Sequence, residues 1–132
     1  MSVVIAARNE EESLPELIDD LINQEYPLNK FEIIIVNDRS SDFTSEILKQ
    51  ASDNYAFIKT ITINQKSKLM TSKKNAINEG IKISKGEIIL STDADCRVGK
   101  LWVASMTYSL MNKNGIIIGY SEVDDIKSSF FE

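Results

Sequence analysis

Five short apolar runs, separated by polar segments whose apolar residues recur every three to four positions, set the framework of this chain. Ser2 to Ala7 and Phe31 to Val36 are apolar almost throughout, as is Glu87 to Ser91, begun by Gly86. Such runs predict strands buried on both faces, the kind found in parallel sheets. Phe57 to Ile63 alternates and predicts a strand nearer an edge. Gly115 to Tyr120 is the fifth apolar run and predicts a fifth strand.

The intervening segments carry the helical period. Leu14, Leu17, Ile18, Leu21 and Ile22 form one stripe, with Pro15 suited only to a first turn and Ser13 or Asn9 available as a cap. Phe43, Ile47, Leu48 and Ala51 mark a second helix that Ser41 or Asp42 could cap. Ala76, Ile77, Gly80 and Ile81 mark a third, capped by Thr71 or Ser72 and stopped by Gly86. Leu101, Trp102, Met106 and Leu110 mark a fourth, and Asn64 to Met70 has no period and predicts a loop. This strand–helix alternation predicts the α/β class: a Rossmann-like, mostly parallel sheet flanked by helices, in one domain over residues 1–132.

Ligands of open α/β sheets collect at the carboxyl ends of the strands, and here those ends carry acids. The first run leads into Arg8-Asn9-Glu10-Glu11-Glu12, the second into Asn37-Asp38, and the fourth into Thr92-Asp93-Ala94-Asp95. Asp93 and Asp95 face one side if extended geometry persists past Thr92. Two hard oxygen ligands suit Mg²⁺ or Mn²⁺, which complete their shells with water and substrate phosphates. An isolated Asp-x-Asp also reads as a solvated turn, and Asp38 as a loop residue satisfying backbone amides or as a ligand contact. The acidic triplet near the first helix suits the positive end of its dipole, whereas Lys73 and Lys74 sit at the wrong end of the third. An anion bound there would resolve that conflict; otherwise they are two solvated lysines.

Composition narrows the chemistry. The 132 residues carry a net charge of -5, which argues against sequence-independent nucleic-acid binding, and the single Cys96 excludes an internal disulfide. Histidine is absent, removing Ser-His and Cys-His pairs and His-containing zinc sites. No apolar run approaches the ~20 residues that span a bilayer, and no signal peptide precedes the first strand. Neither Gly-x-Gly-x-x-Gly nor a Walker pattern occurs.

Four blocks, in order, resemble family 2 glycosyltransferases: Ser2-Val3-Val4-Ile5-Ala6-Ala7-Arg8-Asn9-Glu10-Glu11, Val36-Asn37-Asp38-Arg39-Ser40-Ser41-Asp42, Ser72-Lys73-Lys74-Asn75-Ala76-Ile77-Asn78-Glu79-Gly80, and Gly86 through Asp95. The resemblance extends to about Tyr120. It implies a GT-A fold that binds a nucleotide-diphosphate sugar, commonly a UDP-sugar, with Mg²⁺ or Mn²⁺, and transfers the sugar to a saccharide or lipid-linked acceptor. Carried over, Ala6, Arg8 and Glu10 line the nucleotide pocket and Asp38 holds the base or ribose. Lys73 lies by the diphosphate, Asp93 near the ribose and metal, and Asp95 on the metal. The resemblance further implies a bacterial, cell-envelope role at the cytoplasmic face of the membrane, with a parent that is membrane-associated.

The resemblance also has gaps. The family's catalytic base and acceptor motif have no counterpart here, so both are expected beyond Glu132 and this chain is expected to be the nucleotide-binding half, inactive alone; Asp124-Asp125 is read as a surface turn. In the family's sheet a later strand lies between the fourth and fifth seen here, so an unpaired edge and self-association are expected. Two alternatives stay open: a nucleotide-sugar and metal-binding module without transfer, and a phosphotransferase or phosphatase with Asp93 as nucleophile. The second is disfavoured, because in haloacid-dehalogenase-like enzymes that motif follows the first strand.

Overall fold

The computed structural model describes residues 1–111 and 115–119. Four strands, β1 (Ser2–Ala7), β2 (Glu32–Asp38), β3 (Ile58–Ile63) and β4 (Ile89–Ser91), form one all-parallel sheet in the order β3-β2-β1-β4. The helices are α1 (Leu14–Ile22), α2 (Thr44–Asn54), α3 (Ser72–Ile83) and α4 (Trp102–Met111), with a 3-10 turn at Leu28–Lys30. This is the expected α/β, Rossmann-like architecture. No helix among the described residues is long and apolar enough to cross a membrane.

Alternation along each strand sorts the core into two layers. Val3, Ile5, Ala7, Ile33 and Ile35 face Leu14, Leu17 and Leu21 of α1, Leu48 of α2 and Val103 of α4. Val4, Ile34 and Val36 face the opposite way, under Ala76 of α3. Both faces of β1 and β2 are thus covered, which is why their sequences are apolar throughout. Helix α3 rides close on the sheet because Gly80 has no Cβ, which there would collide with Val4 Cγ1 and lie 3.1 Å from Val36 Cγ2.

Several local expectations are corrected. The fourth strand is confined to Ile89–Ser91, and it is an edge strand with Ile89 half-buried and Ser91 exposed. Gly86 does not stop α3, which ends at Ile83 with Ser84 beyond it; a Cβ at Gly86 would strike the Met1 backbone, so close approach explains this glycine. Residues 115–119 are not in strand geometry: among the described residues they have no ladder partner, and Ile116 and Ile118 are 92% and 90% exposed. Tyr120 and the Asp124-Asp125 pair lie outside the described residues. Neither Ser13, Asn9, Thr71 nor Ser72 caps a helix with its side chain. Asp42 does serve α2, from one position ahead of the cap residue: its Oδ1 accepts from Thr44 N–H at 3.0 Å.

Candidate functional site

The carboxyl ends of β1, β2 and β4 and the first turn of α3 enclose a cleft of about 250 Å³. It is lined by Ala6, Ala7, Arg8, Glu10, Asp38, Ser72, Lys73, Ala76, Asp93, Ala94 and Asp95. The seven residues singled out from sequence (Ala6, Arg8, Glu10, Asp38, Lys73, Asp93 and Asp95) are therefore brought together on one surface. Ser72, expected only as a cap, and the small side chains of Ala7, Ala76 and Ala94 were not anticipated; no charge or spacing marks an alanine as a cleft floor.

Two loops in left-handed conformation shape the β1–β2 side. Asn9 and Arg39 have φ of 55° and 56°. The loops are laced together: Asn9 N–H donates to Ser40 Oγ at 3.0 Å, Ser41 N–H to Asn9 Oδ1 at 2.8 Å, and Glu10 N–H to Thr44 Oγ1 at 2.9 Å. Glu11 N–H donates to Asp42 Oδ2 and Phe43 N–H to Glu11 Oε2. Glu10 and Glu11 of the acidic triplet thus join this lacing as well as lying near the start of α1. The result ties the loop that carries Arg8 and Glu10 to the loop that follows Asp38.

Asp38 ends β2 with only 4% of its surface exposed. Arg39 donates through Nε to its Oδ1 at 2.8 Å and through Nη2 to its Oδ2 at 3.2 Å. These bonds hold the Asp38 carboxyl below the usual carboxylate range against the opposing effect of burial, aided by the charge of Arg39, by Ser72 and by the charge of Arg8. Glu10 moves the other way. Burial raises it first, then the charge of Asp95, with Asp42 and Asp93 adding and a hydrogen bond from Ser13 opposing. The cleft is therefore negative before any ligand arrives.

Extended geometry does not persist past Thr92. Asp93–Asp95 enters a turn in which Cys96 N–H donates to the Asp93 carbonyl at 3.2 Å. Buried Ala94, 3% exposed, pins the turn between two exposed carboxylates, and both still line the cleft. The Lys73 ammonium lies 2.6 Å from Asp93 Oδ1, so the cation at the wrong end of the α3 dipole is partnered by an acid from β4's loop. Among the described residues no group of three or more metal-ligating side chains occurs. Two carboxylates are the donor set that a hard divalent ion uses when substrate oxygens and water supply the rest, so Asp93 and Asp95 fit Mg²⁺ or Mn²⁺ and would not suit a closed structural site.

The model of the family described as glycosyl transferase family 2 matches residues 2–130. The chain belongs to glycosyl transferase family 2. A probable glycosyltransferase of Bacillus subtilis, YdaM, is 37% identical over 121 residues, covering 90% of this chain and 29% of its own length. The structure of S. aureus TarS in complex with UDP-GlcNAc superposes with a TM-score of 0.73 at 23% identity, over 91% of this chain and 37% of that one. The mannosyltransferase PcManGT of Pyrobaculum calidifontis, in complex with GDP-Man and Mn²⁺, gives a TM-score of 0.74 at 23% identity, over 83% and 31%. The four-stranded parallel sheet with its helices is thus a GT-A type fold, and the chain spans less than two fifths of each of these three family relatives and structural neighbours.

Proposed function

We propose that this chain forms the nucleotide-sugar-binding part of a glycosyltransferase that moves a sugar from a nucleotide-diphosphate sugar, a UDP-sugar in the first instance, to a saccharide or lipid-linked acceptor. The observation that carries the reading is the single cleft in which an ionised, buried Asp38, the Lys73 ammonium and the Asp93–Asp95 turn meet. Asp38 accepts hydrogen bonds from the base or ribose, and the alanines at 6, 7 and 76 leave room for a flat ring. Arg8 and Lys73 face the diphosphate. Asp95 and Asp93 hold Mg²⁺ or Mn²⁺, which when bound neutralises charge on the leaving diphosphate.

The cleft's 250 Å³ falls just below the ~300–1,000 Å³ of sites that enclose a small ligand, as suits a groove that binds the donor from one side. The catalytic base and acceptor contacts are assigned beyond Glu132, so these 132 residues bind without transferring. The parent acts at the cytoplasmic face of the membrane in building cell-envelope polysaccharide. Calorimetric titration of UDP and then GDP, with and without Mn²⁺, tests the reading alongside Asp95→Asn. Metal-dependent binding of UDP that the variant loses supports it. Failure of both nucleotides to bind, in this chain and in one extended past Glu132, rules it out.

A further inference from the structure

We propose that Arg39 is a positioning residue: its guanidinium holds Asp38 as a fixed, ionised acceptor on the cleft wall and ties it to the first turn of α3. The inference rests on the function proposed above and assigns a role to a residue that does not itself line the cleft. The starting observation is the backbone. A φ of 56° is open to glycine at little cost, whereas for a long side chain it is a sparsely populated, strained conformation. The strain coincides with a side chain folded back on its own neighbour, giving a two-pronged bond to Asp38.

A third bond extends the link. Arg39 Nη2 also donates to Ser72 Oγ at 2.9 Å, and Ser72 opens the helix whose next residue is Lys73. One guanidinium thus joins the acid assigned to the base to the turn assigned to the diphosphate. Arg39 takes one lone pair on each Asp38 oxygen, and a carboxylate has about four such sites, so acceptor capacity remains for an imide N–H or a ribose hydroxyl. Arg8, on the β1 loop, is the other cation facing Asp38, and Glu10, Lys73, Asp93 and Asp95 share the cleft.

The experiment is a double-mutant cycle read by UDP titration in the presence of Mn²⁺, with Arg39→Gln, Asp38→Asn and the pair. Removing Arg39's charge is expected to weaken UDP about tenfold, the scale of a hydrogen bond to a charged group. Affinity should also begin to fall at a higher pH in Arg39→Gln than in the native protein, because Asp38 loses the partner that holds its carboxyl low. Arg39→Lys, which keeps the charge and loses the fork, should recover part of the loss. In the Asp38→Asn background, Arg39→Gln should cost nothing further.

Equal losses in both backgrounds would show that Arg39 acts independently of Asp38 and overturn the proposal. Tight UDP binding by Asp38→Asn would overturn it through Asp38. If neither UDP nor GDP binds, in this chain or in one extended past Glu132, the function proposed above falls, yet ¹³C titration of the Asp38 carboxyl still tests the link: no upward movement in Arg39→Gln would refute it.

Discussion

Lys73 and Asp93 form an ion pair whose side chains are 64% and 51% exposed. Pairs this open contribute at most about 1 kcal/mol, so the bond holds the two loops loosely and exchanges readily. In the free protein the ammonium occupies one of the two carboxylates assigned to the metal. Removing it should therefore have opposite effects on two ligands. Lys73→Gln is expected to raise the affinity for Mn²⁺ alone a few-fold, because Asp93 is released, and to lower the affinity for UDP with Mn²⁺ about tenfold, because a phosphate partner is lost. Calorimetry of both titrations decides it. Movement of the two affinities in the same direction would mean that Lys73 does not bridge the two tasks. At this scale the sequence was legible through chemistry and not through geometry: Asp93 and Asp95 were expected together from strand alternation, but a turn pinned by buried Ala94 brings them there.

Elements in this sheet are joined by single residues at close quarters. Glu32, at the start of β2, accepts from Ser2 Oγ of β1 at 2.7 Å, from Lys59 of β3, and from Lys85 N–H beyond α3 at 2.6 Å. Burial pushes the Glu32 carboxyl up, but these three bonds outweigh it and bring it from an ordinary 4.5 to about 2. A depressed folded value means that the contribution is present above about pH 4.5 and lost as pH falls towards 2. Glu32 is 13% exposed at its side chain, so little of this is screened, and the shift corresponds to about 3 kcal/mol at most. Denaturant unfolding at pH 6 and pH 2.5 should show the native protein losing most of its advantage over Glu32→Gln. A constant difference between the two would mean that the three bonds do not discriminate the charged form.

Gly80 gives a second test at the level of elements. Alanine is worth about 1 kcal/mol over glycine inside a helix. Its Cβ would nonetheless drive into Val4, which is fully buried and cannot yield without moving β1. Overpacking of this kind costs about 1–3 kcal/mol, so Gly80→Ala should lower the denaturation midpoint. A raised midpoint would show that α3 lifts off the sheet freely. The helices and the two central strands were legible because burial on a repeating face leaves a periodic trace. Apart from Asp42, the caps were not, and neither was the fifth strand, since a cap depends on the path of the preceding loop, and among the described residues no strand lies beside residues 115–119 to make that apolar run a strand.

Over the whole molecule the sheet has two outer strands, β3 and β4, and among the described residues nothing pairs with the far side of β4. That edge is the candidate for self-association, and its strength can be bounded. Only Ile89–Ser91 is in ladder geometry, so a second copy could exchange two or three main-chain bonds, each worth roughly 0.5–1.5 kcal/mol net. Their sum only matches the lower end of the roughly 4–15 kcal/mol that association costs. The charge of -5 on each copy further opposes contact. The balance predicts a monomer at micromolar concentration and weak association as concentration approaches millimolar, growing with added salt as the like charges are screened. Light scattering over a dilution series at low and high salt measures this. A clean monomer at the highest concentration and salt would remove the edge as an interaction surface, and association that salt dissolves would place the contact on charged groups instead of on β4.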